Sequence, residues 1–448
     1  MSGNAETVLP TAVVGDAYTC GRAWEFLVGL TDGPARLAGT DGEATAGQYV
    51  ADAFRERGLD EVRVEEFDIP GWSRGESSLT AAGRTVESNH EVIALPGSPA
   101  GAVSGELIDV RHGVQDDIES TDLDGAIALA ADTTPADHGR HVHRLEKYAW
   151  AAEAGAEAFV YRTDRPGCLP PTGDVGSEDG PGPIPAIGVS REVGSWLRRR
   201  CRRGGTEATV AVDCETGTAT SRNVSAAVGP ETPQEVLVTA HLDAHDVGTG
   251  ANDNGAGCAL VAETARLLSL VSDQLETRVR FVTFGAEEVG FRGSREWVRS
   301  HDLDRVKAVV NADGIGYSRT LDLYTHGFDG IADAFDAATD ALDVPATIRD
   351  SVRPHSDHWP FVQHGVPGAQ ARSVTDAERG WTHTHADTVD KMDPRDLRDL
   401  AVVLAEGTAR LARGDHPVEH VDPAVIREAT RDAGLEAGLR ATGDWPWE

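Results

Sequence analysis

Lysine is nearly missing from this 448-residue chain: Lys147, Lys307 and Lys391 stand alone, and arginine supplies every other base. Bases are scarce altogether, 41 against 74 acids, for a formal net charge of −33 spread along the whole sequence. No basic stripe is left to meet a phosphate backbone, which argues against a nucleic-acid partner. No run of about 18 apolar residues occurs, so no membrane-spanning helix and no membrane partner are expected. The opening MSGNAETVLPTAVVGDAY lacks a basic segment followed by a sustained apolar one. No signal peptide is visible in it, and a cytoplasmic location is the expectation. Cys20, Cys168, Cys201, Cys214 and Cys258 are scattered, with no C-x-x-C pair. Free thiols are expected rather than a disulfide framework.

What is present is enough for a large core. Hydrophobic residues make up 40% of the chain, and the length suggests two or three domains. A surface so acidic and lysine-poor suits concentrated salt, where counterions screen self-repulsion, so a halophilic source is expected.

The text changes character along the chain. ATAGQYVADAFRERGLDEV reads as an amphipathic helix stopped by Gly58. A strand VRVEEFDI follows, broken by PGW and a polar connection. From about 90 to 218 come short strands (AIALAA, AFVYR, IPAIGV, TEATVAVD), one helix at 144–156 and a Gly/Pro/Asp-rich loop at 164–183. No nucleophile or metal spacing occurs in that block, so it reads as a non-catalytic module. RRRCRR at 198–203 reads as an exposed helix end. From 222 onward buried strands alternate with helices up to a long closing helix at 394–413. Such alternation predicts an α/β fold: a mixed central sheet with helices on both faces, and functional loops at the carboxyl ends of strands. The acidic tail 414–448 shows only a weak helix.

Polar clusters recur at those strand ends. His241 and Asp243 follow EVLVTAHLD, and Asp253 lies in the glycine-rich turn HLDAHDVGTGANDNG. Glu287 and Glu288 follow VRFVTFGAEE, Asp313 follows VKAVVNADG, and WTHTHADT precedes the closing helix. Imidazoles and carboxylates without cysteine suit catalytic Zn²⁺. Two such ions about 3.5–4 Å apart need a bridging carboxylate. Two histidines and three carboxylates leave two divalent ions one charge short of neutral. That surplus favours ionising a bound water, whose pKa zinc lowers towards about 7.

HLDAHDVGTGANDNGAG, FGAEEVGFRGS, NADG and HTHADT together resemble the cocatalytic di-zinc exopeptidases, a family holding bacterial leucyl aminopeptidases and plasma glutamate carboxypeptidase. The resemblance spans about 222–412. DLDGAIALA, EKYAWAAEAGAEAFVY and IPAIGVS resemble the β-rich protease-associated (PA) domain often inserted in that family. It implies a peptidase domain in two parts, 20–85 and 222–413, with a PA-like insertion over 90–218 that roofs it and a C-terminal tail over 414–448.

Carried over by motif, the resemblance places His241 and Asp313 on one zinc, Glu288 and His383 on the other, and Asp253 between them; Co²⁺ or Mn²⁺ would suit the same donors. Glu287 matches the general base, and Asp243 a carboxylate that orients His241 through its other ring nitrogen. The family pattern selects His241 over His245, left as a surface loop residue with Asp246 a bystander, and His383 over His385. Asp357 and His358 in SDHWPF match a loop near the substrate, where they shape the pocket or cap the following helical turn; His355 and His364 are incidental. Family aminopeptidases carry a tyrosine where this chain has Thr382, which leaves the oxyanion donor unassigned.

The implied activity is exopeptidase action on a peptide substrate, expected as an aminopeptidase. A di-zinc carboxypeptidase or dipeptidase is the alternative, for which Arg353 and Arg372 are candidate carboxylate ligands. A non-catalytic binding relative is the third reading.

Overall fold

The structure, a computed structural model, describes residues 6–374 and 381–447. Strands Gly368–Ser373, Val306–Ala312, Glu235–His241 and Arg278–Phe284 lie side by side in that order, all parallel. Leu321–Tyr324 continues the sheet antiparallel to Gly368–Ser373, and Ala346–Arg349 forms its edge. The central strands read as unbroken apolar runs because both of their faces are covered. Val236, Val238 and Ala240 point to a core shared with helices Asp41–Glu56, Ala256–Ser269 and Pro394–Leu411. Leu237, Val282 and Phe284 point the other way, onto Trp297 and Phe361. The mixed sheet with helices on both faces is thus as the sequence implies.

One element is not legible in the sequence. Asp60–Ala81 is a single 22-residue strand, antiparallel to an equally long Glu207–Val228. The PGW segment does not break it: Pro70 sits opposite Thr218 and Gly71 opposite Gly217. Among the described residues the second strand pairs between 213 and 223 only with the first, and the first pairs between Arg63 and Arg74 only with the second, so each has an open edge there. Proline lacks an N–H, and an open edge is where that loss removes no ladder bond. The expected boundary at 218–222 therefore falls inside a continuous strand. GWSRG at 71–75 has the G-x-S-x-G spacing, but it lies extended in this ribbon rather than at the strand-to-helix turn that exposes a nucleophile.

One end of the ribbon joins the catalytic sheet through Arg278–Phe284, the other joins the inserted module through Gly101–Asp109. The module continues as parallel strands Ile127–Ala131, Ala158–Arg162 and Ala186–Val189. Helix Arg144–Glu153 packs on one face, through Tyr148, Trp150 and Ala151, and Arg191–Cys201 on the other, through Val193 and Leu197. The basic run 198–203 is indeed the end of that second helix.

The C-terminal segment is more than a weak helix. It forms helices Pro423–Asp432 and Glu436–Ala441, the second of which packs against Arg144–Glu153 of the inserted module. Arg295 pairs with Asp444 at 2.5 Å, and Trp447 meets the buried Trp359 edge-on. Among the described residues no helix is long and apolar enough to cross a membrane.

Candidate metal centre

The parallel strands end together, and the clusters converge because of it. His241 is the last residue of Glu235–His241 and pairs in register with Phe284, so the loop carrying Glu287 and Glu288 starts beside it. His241 Nε2 lies 3.1 Å from Asp253 Oδ1 and 3.7 Å from Asp313 Oδ1. Asp253 turns its other oxygen the opposite way, Oδ2 to His383 Nε2 at 3.1 Å, and His383 Nε2 lies 3.3 Å from Glu288 Oε2. A tetrahedral ion bound at about 2.0–2.1 Å holds its donors roughly 3.3 Å apart. These separations match the edges of two such donor sets with Asp253 common to both. Among the described residues the buried Glu288 Oε1 has no hydrogen-bond partner, a state that a cation relieves. The donor set fits divalent metal ions.

Neighbouring groups hold these donors in place. Gln370 Nε2 donates to Asp313 Oδ2 at 3.0 Å. Asp387 accepts from the backbone N–H groups of Asn252 and Asp253 at 2.8 and 3.0 Å, holding the turn that carries Asp253. Arg36, almost wholly buried, donates to the carbonyls of Leu242, Thr249 and Gly250. Sequence reasoning misses Arg36, which lies some 200 positions from the loop it stitches, and it gives Asp387 no role beyond its place in the HTHADT motif.

Asp243 acts differently from the expectation. Its backbone carbonyl, not its carboxylate, takes His241 Nδ1 at 3.1 Å, while the nearer carboxylate oxygen stands at 3.7 Å. The carboxylate instead accepts from the N–H groups of Glu287 and Glu288 at 3.0 and 3.1 Å. It thus sets the peptide that aims those two glutamates apart. Burial is the largest influence on both: it raises Glu287 well above the usual carboxylate range and Glu288 to about 8. Carboxyl groups this crowded are held ionised by a cation among them.

Three further expectations are corrected. His245 is not a surface loop residue: it is 5% exposed, with Nε2 2.9 Å from Glu288 Oε2. Asp246 is no bystander, since Arg74 of the ribbon grips it bidentately at 2.6 and 2.9 Å. Asp357 and His358 do not shape the pocket. Both are fully buried behind it, Asp357 accepting from Ser294 Oγ at 2.5 Å and His358 Nε2 meeting the Arg353 carbonyl at 2.9 Å. His358 precedes the Trp359–Val362 turn without a side-chain cap on it.

This cluster of carboxylates and imidazoles opens into a cleft of about 360 Å³. Asp253, Glu287, Glu288, Asp313 and His383 form its floor, with Tyr317, Arg353, Arg372 and Thr382 beside them. His355 also lines it, stacked on His143 of the inserted module, so it is not incidental. The module itself reaches the site. Thr172 N–H donates to the His383 carbonyl at 2.9 Å, and Arg165 to the Thr382 carbonyl at 3.2 Å. Leu435, Leu439 and Asp444 of the C-terminal segment close the far wall.

Gly257, in the first turn of Ala256–Ser269, shows how tightly the bridging turn is packed. A Cβ there would collide with the Ala312 carbonyl and with Asn254 Oδ1, which accepts from the Gly257 N–H. Gly257→Ala is expected to lower stability by about 1–3 kcal/mol through this overpacking, read as a fall in Tm in thermal unfolding. An unchanged Tm would contradict the packing described.

Fold and site together define a metal-dependent hydrolase with a lidded α/β cleft. The profile of peptidase family M28 matches residues 223–408, and that of the PA domain residues 100–197. Aminopeptidase YwaD of Bacillus subtilis (strain 168) is 30% identical over 378 residues, 81% of this chain and 78% of that protein. Carboxypeptidase Q of Rattus norvegicus is 28% identical over 423 residues, 90% of this chain and 87% of that protein. The solved structure of BSAP, a zinc aminopeptidase from Bacillus subtilis, superposes with a TM-score of 0.68 at 26% identity, covering 88% of this chain and 96% of that one. The chain belongs to peptidase family M28: it is a metallopeptidase with a PA domain.

Proposed function

We propose that the chain is an exopeptidase of aminopeptidase type that works with two zinc ions. His241 and Asp313 hold one ion, Glu288 and His383 the other, and Asp253 bridges them. The observation that carries this reading is Asp253 itself, which offers one oxygen to each histidine at 3.1 Å. The similarity to aminopeptidase YwaD and to a zinc aminopeptidase supports both the activity and the metal. Bound zinc supplies Lewis acidity towards the peptide carbonyl and makes water acidic enough to react near neutral pH.

The chain's own residues do the rest. Glu287 faces the cleft with its carboxylate 4.0 Å from His241 Nε2, placed to take a proton from the attacking water and pass it to the leaving amine. Asp243 holds it there through the backbone. Tyr317 lines the cleft beside Thr382, where family aminopeptidases carry their tyrosine; its hydroxyl is protonated at neutral pH like any phenol, and burial raises its pKa further. It is the donor for the developing oxyanion. Tyr317→Phe is expected to lower kcat about 100-fold with little change in KM. A wild-type kcat would remove Tyr317 from this role.

A second reading has one observation in its favour: Arg353 and Arg372 both line the cleft. Two guanidinium groups suit a substrate's C-terminal carboxylate, as a carboxypeptidase or dipeptidase needs. The test is zinc content together with turnover of aminoacyl-anilides, dipeptides and N-blocked peptides. About two zinc ions per chain and activity that requires a free N-terminus are expected. Hydrolysis of N-blocked peptides with a free carboxylate would replace the aminopeptidase reading by the second one.

A further inference from the structure

We infer that His245 is a fourth protein donor to the ion held by Asp253, Glu288 and His383, so that the two metal sites are unequal. The inference rests on the di-zinc reading above and concerns a residue that the family motif leaves outside the ligand set. His245 Nε2 approaches Glu288 Oε2 to 2.9 Å, yet neither ring nitrogen of His245 has a hydrogen-bond partner among the described residues. A buried imidazole with both nitrogens unpaired is costly. A nitrogen and an oxygen that close without a hydrogen bond are arranged as two donors to one cation. The imidazoles of His245 and His383 sit 4.5 Å apart, nearly perpendicular. Donor atoms of His245, Glu288 and His383 all lie within 4.8 Å of one another. A small cavity is bounded by these three residues and Asp253.

The consequence is an asymmetry. Four protein donors complete a tetrahedral zinc, the closed arrangement of structural sites, whereas His241, Asp253 and Asp313 leave the other ion a position open. The closed ion would be retained and would anchor Asp253. The open ion would exchange and meet the substrate.

X-ray absorption of the zinc-loaded full chain tests this without mutation: three imidazoles per two zinc ions are expected, and two would overturn the inference. Chelator competition adds an independent readout. In the wild type one ion should survive a chelator concentration at least about ten-fold above that which removes the other. His245→Phe and His245→Gln should abolish that gap by weakening the retained ion at least about ten-fold, with zinc-free unfolding confirming that the variants fold. Unchanged retention in folded variants would overturn the inference. A chain that binds no zinc would overturn the proposed function as well, whereas two ions with only two imidazoles would overturn the role of His245 alone.

Discussion

Replacing Glu287 by glutamine is expected to lower kcat by about 10³-fold or more while zinc content stays at the wild-type level. The two effects separate because of where the side chain sits. Glu287 is consecutive with Glu288, and Asp243 takes both backbone N–H groups, so the two carboxylates leave the same peptide in different directions. Glu288 turns to His383 at 3.3 Å and Glu287 into the cleft. Glutamine keeps the size and hydrogen-bonding shape but has no basic oxygen, so the proton of the attacking water has no acceptor. Metal analysis of the purified variant beside its steady-state kinetics checks the prediction. Full activity would sink the role of Glu287, and loss of zinc would show that it is a ligand instead.

Asp253→Ala should have the opposite signature. Its two oxygens each lie 3.1 Å from a different histidine, so its removal takes a donor from both sites at once. Zinc content should fall to one ion or none per chain, and turnover should become undetectable. Zinc should also stabilise the fold much less. A ligand that binds only the native state at about 100 times its Kd adds about 2.7 kcal/mol. The wild-type Tm should accordingly rise with added zinc, and that of Asp253→Ala should rise far less. The turn itself should survive, since Asp387 holds it through the N–H groups of residues 252 and 253, which alanine retains. Two ions still bound to the variant would show that Asp253 does not bridge.

How much of the fold and site is legible in the sequence varies residue by residue. The strand ends bearing His241, Glu287, Glu288 and Asp313 are readable because a buried parallel strand is a continuous apolar run, and its carboxyl end is where polar residues first return. Asp253 and His383 need the motif as well, since both lie in irregular loops. His245 escapes such reading because an imidazole in a Gly/Asp-rich loop looks solvated until the loop is seen folded under its neighbours. Asp243 is placed rightly but with the wrong bond, because a backbone carbonyl leaves no trace in sequence. The ribbon through Pro70 stays hidden because proline signals a break unless the strand has an open edge there.

By itself the sequence determined the donor types, their order along the chain and the mixed α/β frame that gathers them. Those properties are local: apolar periodicity, turn chemistry and short motifs. Only the tertiary structure decided which atoms meet. Thr172 reaches His383, Arg36 reaches Leu242, and Leu439 closes a cleft whose floor includes Glu287. Such contacts join residues that local spacing does not relate, and they arise from how packed layers and a long ribbon set one module over another.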